Sequence, residues 1–110
     1  MTIVPEVAAL VPRMKAWRHH LHAHPETAFE EIATAAFVAA ELRALGLDVH
    51  TGLAQTGVVG VLSAGNRGPA IGLRADLDAL HIHEKTGVAH ASRHEGRMHA
   101  CGHDGHATML

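Results

Sequence analysis

Leu73-Arg74-Ala75-Asp76-Leu77-Asp78-Ala79-Leu80 is the stretch on which the fold turns: an apolar run from Ala70 leads into two carboxylates at positions i and i+2. In an extended chain both carboxylates point to the same side, at the end of a strand. Strand ends are where α/β folds place their sites. Working back from this segment, Val58 to Leu62 is β-rich, Asp48 to His50 reads as a short strand, and Gly65-Asn66-Arg67-Gly68 reads as a turn. That turn suggests a hairpin between Val58–Leu62 and Ala70–Ala75. Further back, Phe29, Ile32, Ala33, Ala36, Phe37, Ala40 and Leu45 recur with helical spacing. They predict a helix that starts near Pro25 to Thr27 and stops at Gly46, a residue suited to the left-handed position after a helix. Leu10, Val11, Met14, Trp17 and Leu21 predict an earlier helix ending near His22, kinked or restarted at Pro12. Helices and strands in this order read as an α/β arrangement, helices layered on a sheet.

Forward from the same segment, Met98-His99-Ala100-Cys101-Gly102-His103-Asp104-Gly105-His106 holds the second concentration of metal-binding side chains. Read as a polar, glycine-broken loop, it sets Cys101 and His103 at i and i+2, where a thiolate and an imidazole converge on one ion. Gly102 permits the close backbone approach. Thiolate with imidazole selects zinc or another borderline transition metal over magnesium or calcium. Taken singly, Cys101 reads equally as a small buried hydrophobe and His103 as a solvated loop residue. Asp104 and His106 beside them favour ligation. Ala107-Thr108-Met109-Leu110 begins an apolar helix with no room to finish, so the 110 residues are expected to be a truncated piece of a larger domain.

Composition narrows the function classes. Nine basic residues against eleven acidic ones, a net charge of −2, give no footprint for nucleic acid or an anionic membrane. Twelve histidines with no tyrosine and few aromatics point to metal or proton chemistry rather than base stacking. One cysteine excludes an internal disulfide and a zinc finger, and suits a reducing cytoplasm. Met1 to Lys15 carries Glu6 and two prolines without a long apolar core, so neither a signal peptide nor a membrane span is expected.

The ordered set Trp17-Arg18-His19-His20-Leu21-His22, His24-Pro25-Glu26, Phe29-Glu30-Glu31, Leu73 to Leu80 and Met98 to His106 resembles the N-terminal part of the amidohydrolase branch of the aminoacylase and carboxypeptidase metallopeptidases. That branch includes hippurate hydrolase, N-acyl-amino-acid amidohydrolases and indole-acetyl-amino-acid hydrolases. The resemblance implies that residues 1–110 are the first part of a three-layer α/β catalytic domain, helices packed on a mostly parallel mixed sheet, without the lid or dimerisation domain. It implies metal binding by Cys101 and His103, and an orienting active-site role for Asp78. Asp76 falls where related peptidases carry a metal-binding histidine, though a strand-end carboxylate bonded to loop amides is the plainer reading. His106 is a secondary candidate. The chain departs from the family at His19, where arginine is usual, and at His81, where proline is usual. His81 and His83 read as solvated loop residues, an extra ligand being the alternative, and His22, Pro25 and Glu26 read as structural.

The reaction implied is hydrolysis of the amide bond of a small N-acyl amino acid by two divalent ions, with zinc, manganese, cobalt and nickel all compatible. The family's paired glutamates, one of them the general base, and its further metal-binding histidines lie downstream of Leu110. The 110 residues alone are therefore expected to be inactive, and homo-oligomerisation is expected only of the full-length enzyme. The competing readings are a non-catalytic, histidine-rich metal-binding protein and a functionless truncated remnant.

Overall fold

A computed structural model describes residues 2–65 and 68–110. Three helices, α1 (Pro5–Ala23), α2 (Ile32–Ala44) and α3 (His103–Met109), accompany a two-stranded antiparallel sheet of β1 (Asp48–Leu53) and β2 (Gly57–Val61). The α/β class is what the structure shows.

Helix α1 starts with Pro5 at its first turn, where a missing N–H costs nothing, and runs unbroken through Pro12. The expected break is absent. The apolar face read from Leu10 to Leu21 is packed only at its C-terminal end: Leu21, His22 and Ala23 are buried, while Leu10 and Val11 are exposed. Helix α2 begins at Ile32 rather than near Pro25–Thr27. The reason lies in Glu26. Its carboxylate accepts the N–H groups of Ala33 (3.1 Å) and Thr34 (2.6 Å) and the Thr34 hydroxyl (2.6 Å), so residues 26–31 loop out to bring a cap to the helix they precede. Phe29 marks the loop's turn with φ +65°. The stop at Gly46, φ +86°, falls where the sequence sets it.

The hairpin joins β1 to β2, not β2 to the following apolar run. Ala54 and Gln55 both take positive φ (47° and 81°), the backbone that matches the twist of two antiparallel strands. Asp48 pairs with Val61 and Thr51 with Val58, with an irregularity between Thr51 and Leu53. Helix α2 packs on both strands. Gly60 keeps that approach close, because a Cβ there would lie 2.8 Å from Leu47 Cδ2 and 3.2 Å from Leu42 Cδ1. The expected strand Ala70–Ala75 does not form: Ile71 and Leu73 are 88% and 75% exposed, with no neighbouring strand to pair with among the described residues. The turn expected at Gly65-Asn66-Arg67-Gly68 includes Asn66 and Arg67, which lie outside the described residues.

Two isolated bridges organise the rest. Thr27 pairs with Ala79 in parallel, and Leu80 pairs with Met98 antiparallel through reciprocal 3.0 Å N–H···O bonds. They lay residues 76–80 beside both the Glu26 loop and the segment entering α3. Among the described residues, Leu21, Ala23, Pro25, Ala39 and Ala79 are buried apolar side chains, whereas His22, Thr27, Glu31, Thr34, His99 and Asp104 are buried polar ones. The interior is thus built as much from a polar network as from apolar packing.

Candidate functional site

Cys101 and His103 do not sit in one extended loop. Gly102 adopts φ +89°, a left-handed backbone that glycine takes without a Cβ penalty, and α3 starts at His103. Gly102 O accepts from Gly105 N (3.0 Å) and His106 N (3.1 Å), which closes the first turn. The sequence reading missed this start because Gly102 and Gly105 flank it, and glycine is a poor helix former. Cys101 is exposed and unpaired just before the helix; His103 is half-buried on its first position.

Asp78 and His103 are brought together by the Leu80–Met98 bridge. His103 Nδ1 donates to both the Asp78 backbone carbonyl (2.9 Å) and Asp78 Oδ1 (3.0 Å). With Nδ1 committed to oxygen acceptors, the neutral ring keeps its lone pair on Nε2, the arrangement that fixes tautomer and ring orientation in metal-ligating histidines. An unpaired thiol two residues ahead of an imidazole of this tautomer supplies donor types that suit a borderline divalent metal. Two such donors fall short of a closed centre. Among the described residues no group of three or more His, Cys, Asp or Glu side chains is gathered to hold an ion.

Asp76 does not bond loop amides. Its Oδ1 accepts from Arg74 Nε (3.0 Å) and Nη2 (2.8 Å). The Arg74 guanidinium holds the Asp76 carboxyl below its ordinary value, and the nearby His103 and His106 act in the same direction. His106 is exposed, its ring centroid 6.0 Å from that of His103. His81 and His83 are exposed. His19 stacks on His90 with centroids 3.8 Å apart, and His20 packs against Phe37 and His24.

Behind α3 lies a buried polar cluster around His22, whose structural reading is expected but whose partners are not. His22 from α1 reaches Asp104 Oδ2 with Nδ1 (2.8 Å) and Glu84 Oε1 with Nε2 (3.1 Å), and all three side chains are almost fully buried. Arg18 Nε lies 3.3 Å from Asp104 Oδ2. Burial pushes the Glu84 carboxyl up, but the Thr86 hydroxyl, the Ser92 N–H and His22, which all donate to it, hold it down at about 2. His99 is buried beside this cluster with neither ring nitrogen partnered, and burial pushes its pKa below the ordinary histidine value. Contacts 82 and 62 residues apart leave no spacing signal in a sequence.

Comparison with known proteins agrees with this architecture. Residues 72–110, which hold Asp76, Asp78, Cys101 and His103, match the model of Peptidase family M20/M25/M40. The hippurate hydrolase of Campylobacter jejuni is 46% identical over 110 residues, 100% of this chain and 29% of that relative. The N-acyl-L-amino acid amidohydrolase of Geobacillus stearothermophilus is 44% identical over 109 residues, 96% of this chain and 30% of that protein. A Bacillus subtilis crystal structure described as a dinuclear metal binding peptidase from the M20 family superposes with a TM-score of 0.86 at 37% identity, over 92% of this chain and 29% of that one. In sequence and fold the chain is similar to the first part of M20-family proteins, amidohydrolases among them. The chain spans less than a third of the length of these relatives.

Proposed function

We propose that the chain contributes part of the catalytic domain of a metal-dependent amidohydrolase that cleaves the amide bond of small N-acyl amino acids. In this reading Cys101 Sγ and His103 Nε2 are metal ligands and Asp78 orients His103. The observation that carries it is the double acceptor of His103 Nδ1, the Asp78 carboxylate and carbonyl, which leaves Nε2 free on the first turn of α3, with the unpaired Cys101 thiol two residues ahead in the chain. Asp76 Oδ1, already held by Arg74, stays outside the ligand set, as does the exposed His106.

The chemistry that two divalent ions supply when bound is activation of water and polarisation of the scissile carbonyl. The residues of this chain bind and orient: the thiol as thiolate, the imidazole in the one tautomer that Asp78 permits. A thiolate ligand suits a reducing compartment, so the cytoplasm is the proposed location. Two ligands do not build a binuclear centre, so the 110 residues alone are proposed to bind metal weakly and to hydrolyse nothing.

Metal content tests the ligand set. Zinc and cobalt bound by the chain, Cys101→Ser and His103→Ala are measured at equilibrium by dialysis against a fixed free-ion concentration. Loss of metal from both variants is expected, and unchanged content in both overturns the assignment. Replacing the corresponding segment of the Campylobacter hippurate hydrolase with these 110 residues tests the activity. Amide hydrolysis by the metal-loaded chimera is expected, and a folded, metal-loaded but inert chimera counts against it.

A further inference from the structure

We infer that the buried relay Glu84–His22–Asp104 is a positioning device: it clamps the first turn of α3 from behind so that His103 meets Asp78 in front. This rests on the proposed ligand role of His103 and adds the residues that place it. Three separate segments meet at one imidazole. His22 comes from the last turn of α1, Glu84 from the loop after Leu80, and Asp104 from the residue next to His103.

The hydrogen-bond inventory makes His22 the centre of the device. Both ring nitrogens of His22 face carboxylate oxygens, which only accept, so a hydrogen on either nitrogen is directed at its own carboxylate. Glu84 is fixed independently, because Ser92 N donates to its other oxygen at 2.6 Å and Thr86 Oγ1 donates to the oxygen that His22 also reaches. His22 is therefore tied to an anchored acceptor on one side and to α3 on the other. Asp104 is 1% exposed, and its Oδ1 has no partner. All side-chain contact to this buried carboxylate thus falls on Oδ2, from His22 and from Arg18 at 3.3 Å. Without His22, Asp104 keeps one long contact, and a buried carboxylate so poorly paired moves toward water. Asp104 and His103 are adjacent on one helical turn, so that movement swings the His103 ring away from Asp78.

The relay makes a demand that simple packing does not. Glu84→Gln keeps an oxygen to accept from His22 while giving up the Ser92 N–H bond, whereas Glu84→Leu and His22→Asn both lose the bond between positions 22 and 84. Leu21→Ala removes a buried side chain, 4% exposed, one residue away and outside the relay. It reports loss of packing alone.

The test reads the His103 ring directly, by nitrogen-15 imidazole NMR of the metal-free 110-residue chain across a pH series, at the points where, in the parent chain, the His22 signals report two ring hydrogens and the His103 signals one. In the parent chain, in Glu84→Gln and in Leu21→Ala, His103 is expected as the single Nδ1–H tautomer. In His22→Asn and Glu84→Leu it is expected to average between tautomers. Where His22→Asn fails to fold, Glu84→Leu against Glu84→Gln carries the comparison. A locked His103 in folded His22→Asn or Glu84→Leu overturns the inference, and so does an unlocked His103 in folded Leu21→Ala. Cobalt titration supplies the second readout, with affinity expected to fall about 10–100-fold in the relay-breaking variants. If the parent chain shows no cobalt–thiolate charge-transfer band, the ligand reading fails by itself, and the tautomer measurement still decides the relay.

Discussion

His103 and Asp78, twenty-five residues apart in sequence, meet through a forked hydrogen bond: Nδ1 lies 2.9 Å from the Asp78 carbonyl and 3.0 Å from its carboxylate. The carbonyl alone can set the tautomer, and the carboxylate adds basicity to Nε2. Asp78→Ala keeps the carbonyl acceptor and loses the carboxylate. Its zinc affinity is expected to fall about 10–100-fold with unchanged helical circular dichroism. Competition with a chromophoric chelator checks this, and parent-like affinity would remove Asp78 from the site.

Cys101 is exposed and unpaired. Iodoacetamide is expected to alkylate it readily in metal-free chain, and saturating zinc is expected to slow the reaction at least tenfold by occupying the thiolate. Mass spectrometry of timed samples reads the rate. Equal rates with and without zinc would show that the thiol does not bind the ion.

Glu26 caps α2 from five residues ahead of the cap position Glu31, accepting three hydrogen bonds from Ala33 and Thr34. Loss of such a cap costs about 1–2 kcal/mol. Glu26→Ala should lower the urea midpoint accordingly, and Glu26→Gln, which keeps an acceptor, should recover part of the loss. A Glu26→Ala chain as stable as its parent would mean that the three bonds add nothing in water.

How far the sequence was legible follows from which interactions are local. Helices α1 and α2 could be read because apolar spacing repeats every turn, and the Gly46 stop because a left-handed position favours glycine. The start of α2 was misplaced because the cap is a long-range carboxylate, while the apolar spacing continues through Phe29. The β1–β2 hairpin has no local signature, because Ala54-Gln55 carries none of the Asn-Gly chemistry that marks such turns, although both residues take positive φ. Ala70–Ala75 has strand composition, but a strand exists only against a partner. At the candidate site, Cys101, His103 and Asp78 stand out in the sequence because they lie in contiguous motifs, and the structure brings His103 and Asp78 together. Glu84 does not stand out, since a lone glutamate in a loop resembles any solvated one until His22 is found against it.

Gly57 opens β2 directly against the end of β1. A Cβ there would lie 2.5 Å from the Leu53 carbonyl oxygen, a backbone atom that cannot rotate away. Gly57→Ala must shift the hairpin, at an expected cost of about 1–3 kcal/mol. Gly72→Ala meets no atom within 4 Å and makes the matched control. Thermal melts of the two variants should separate clearly, and coincident melts would show that the hairpin end yields freely.

Acid should loosen the chain through Glu84. Its folded pKa, about 2, lies below its ordinary value of 4.5, held there by Thr86, Ser92 and His22 against the opposing effect of burial. A carboxyl with a depressed folded pKa contributes stability that is complete above 4.5 and is lost as pH falls toward 2. The charged groups facing it through the relay are His22, Asp104 and Arg18, so protonating Glu84 also weakens the clamp on α3. Urea midpoints across that window should fall steeply for the parent chain. Glu84→Gln has no proton to take up at this position and should show a shallower fall from a lower starting value. Parallel pH profiles for the two would place the acid sensitivity elsewhere.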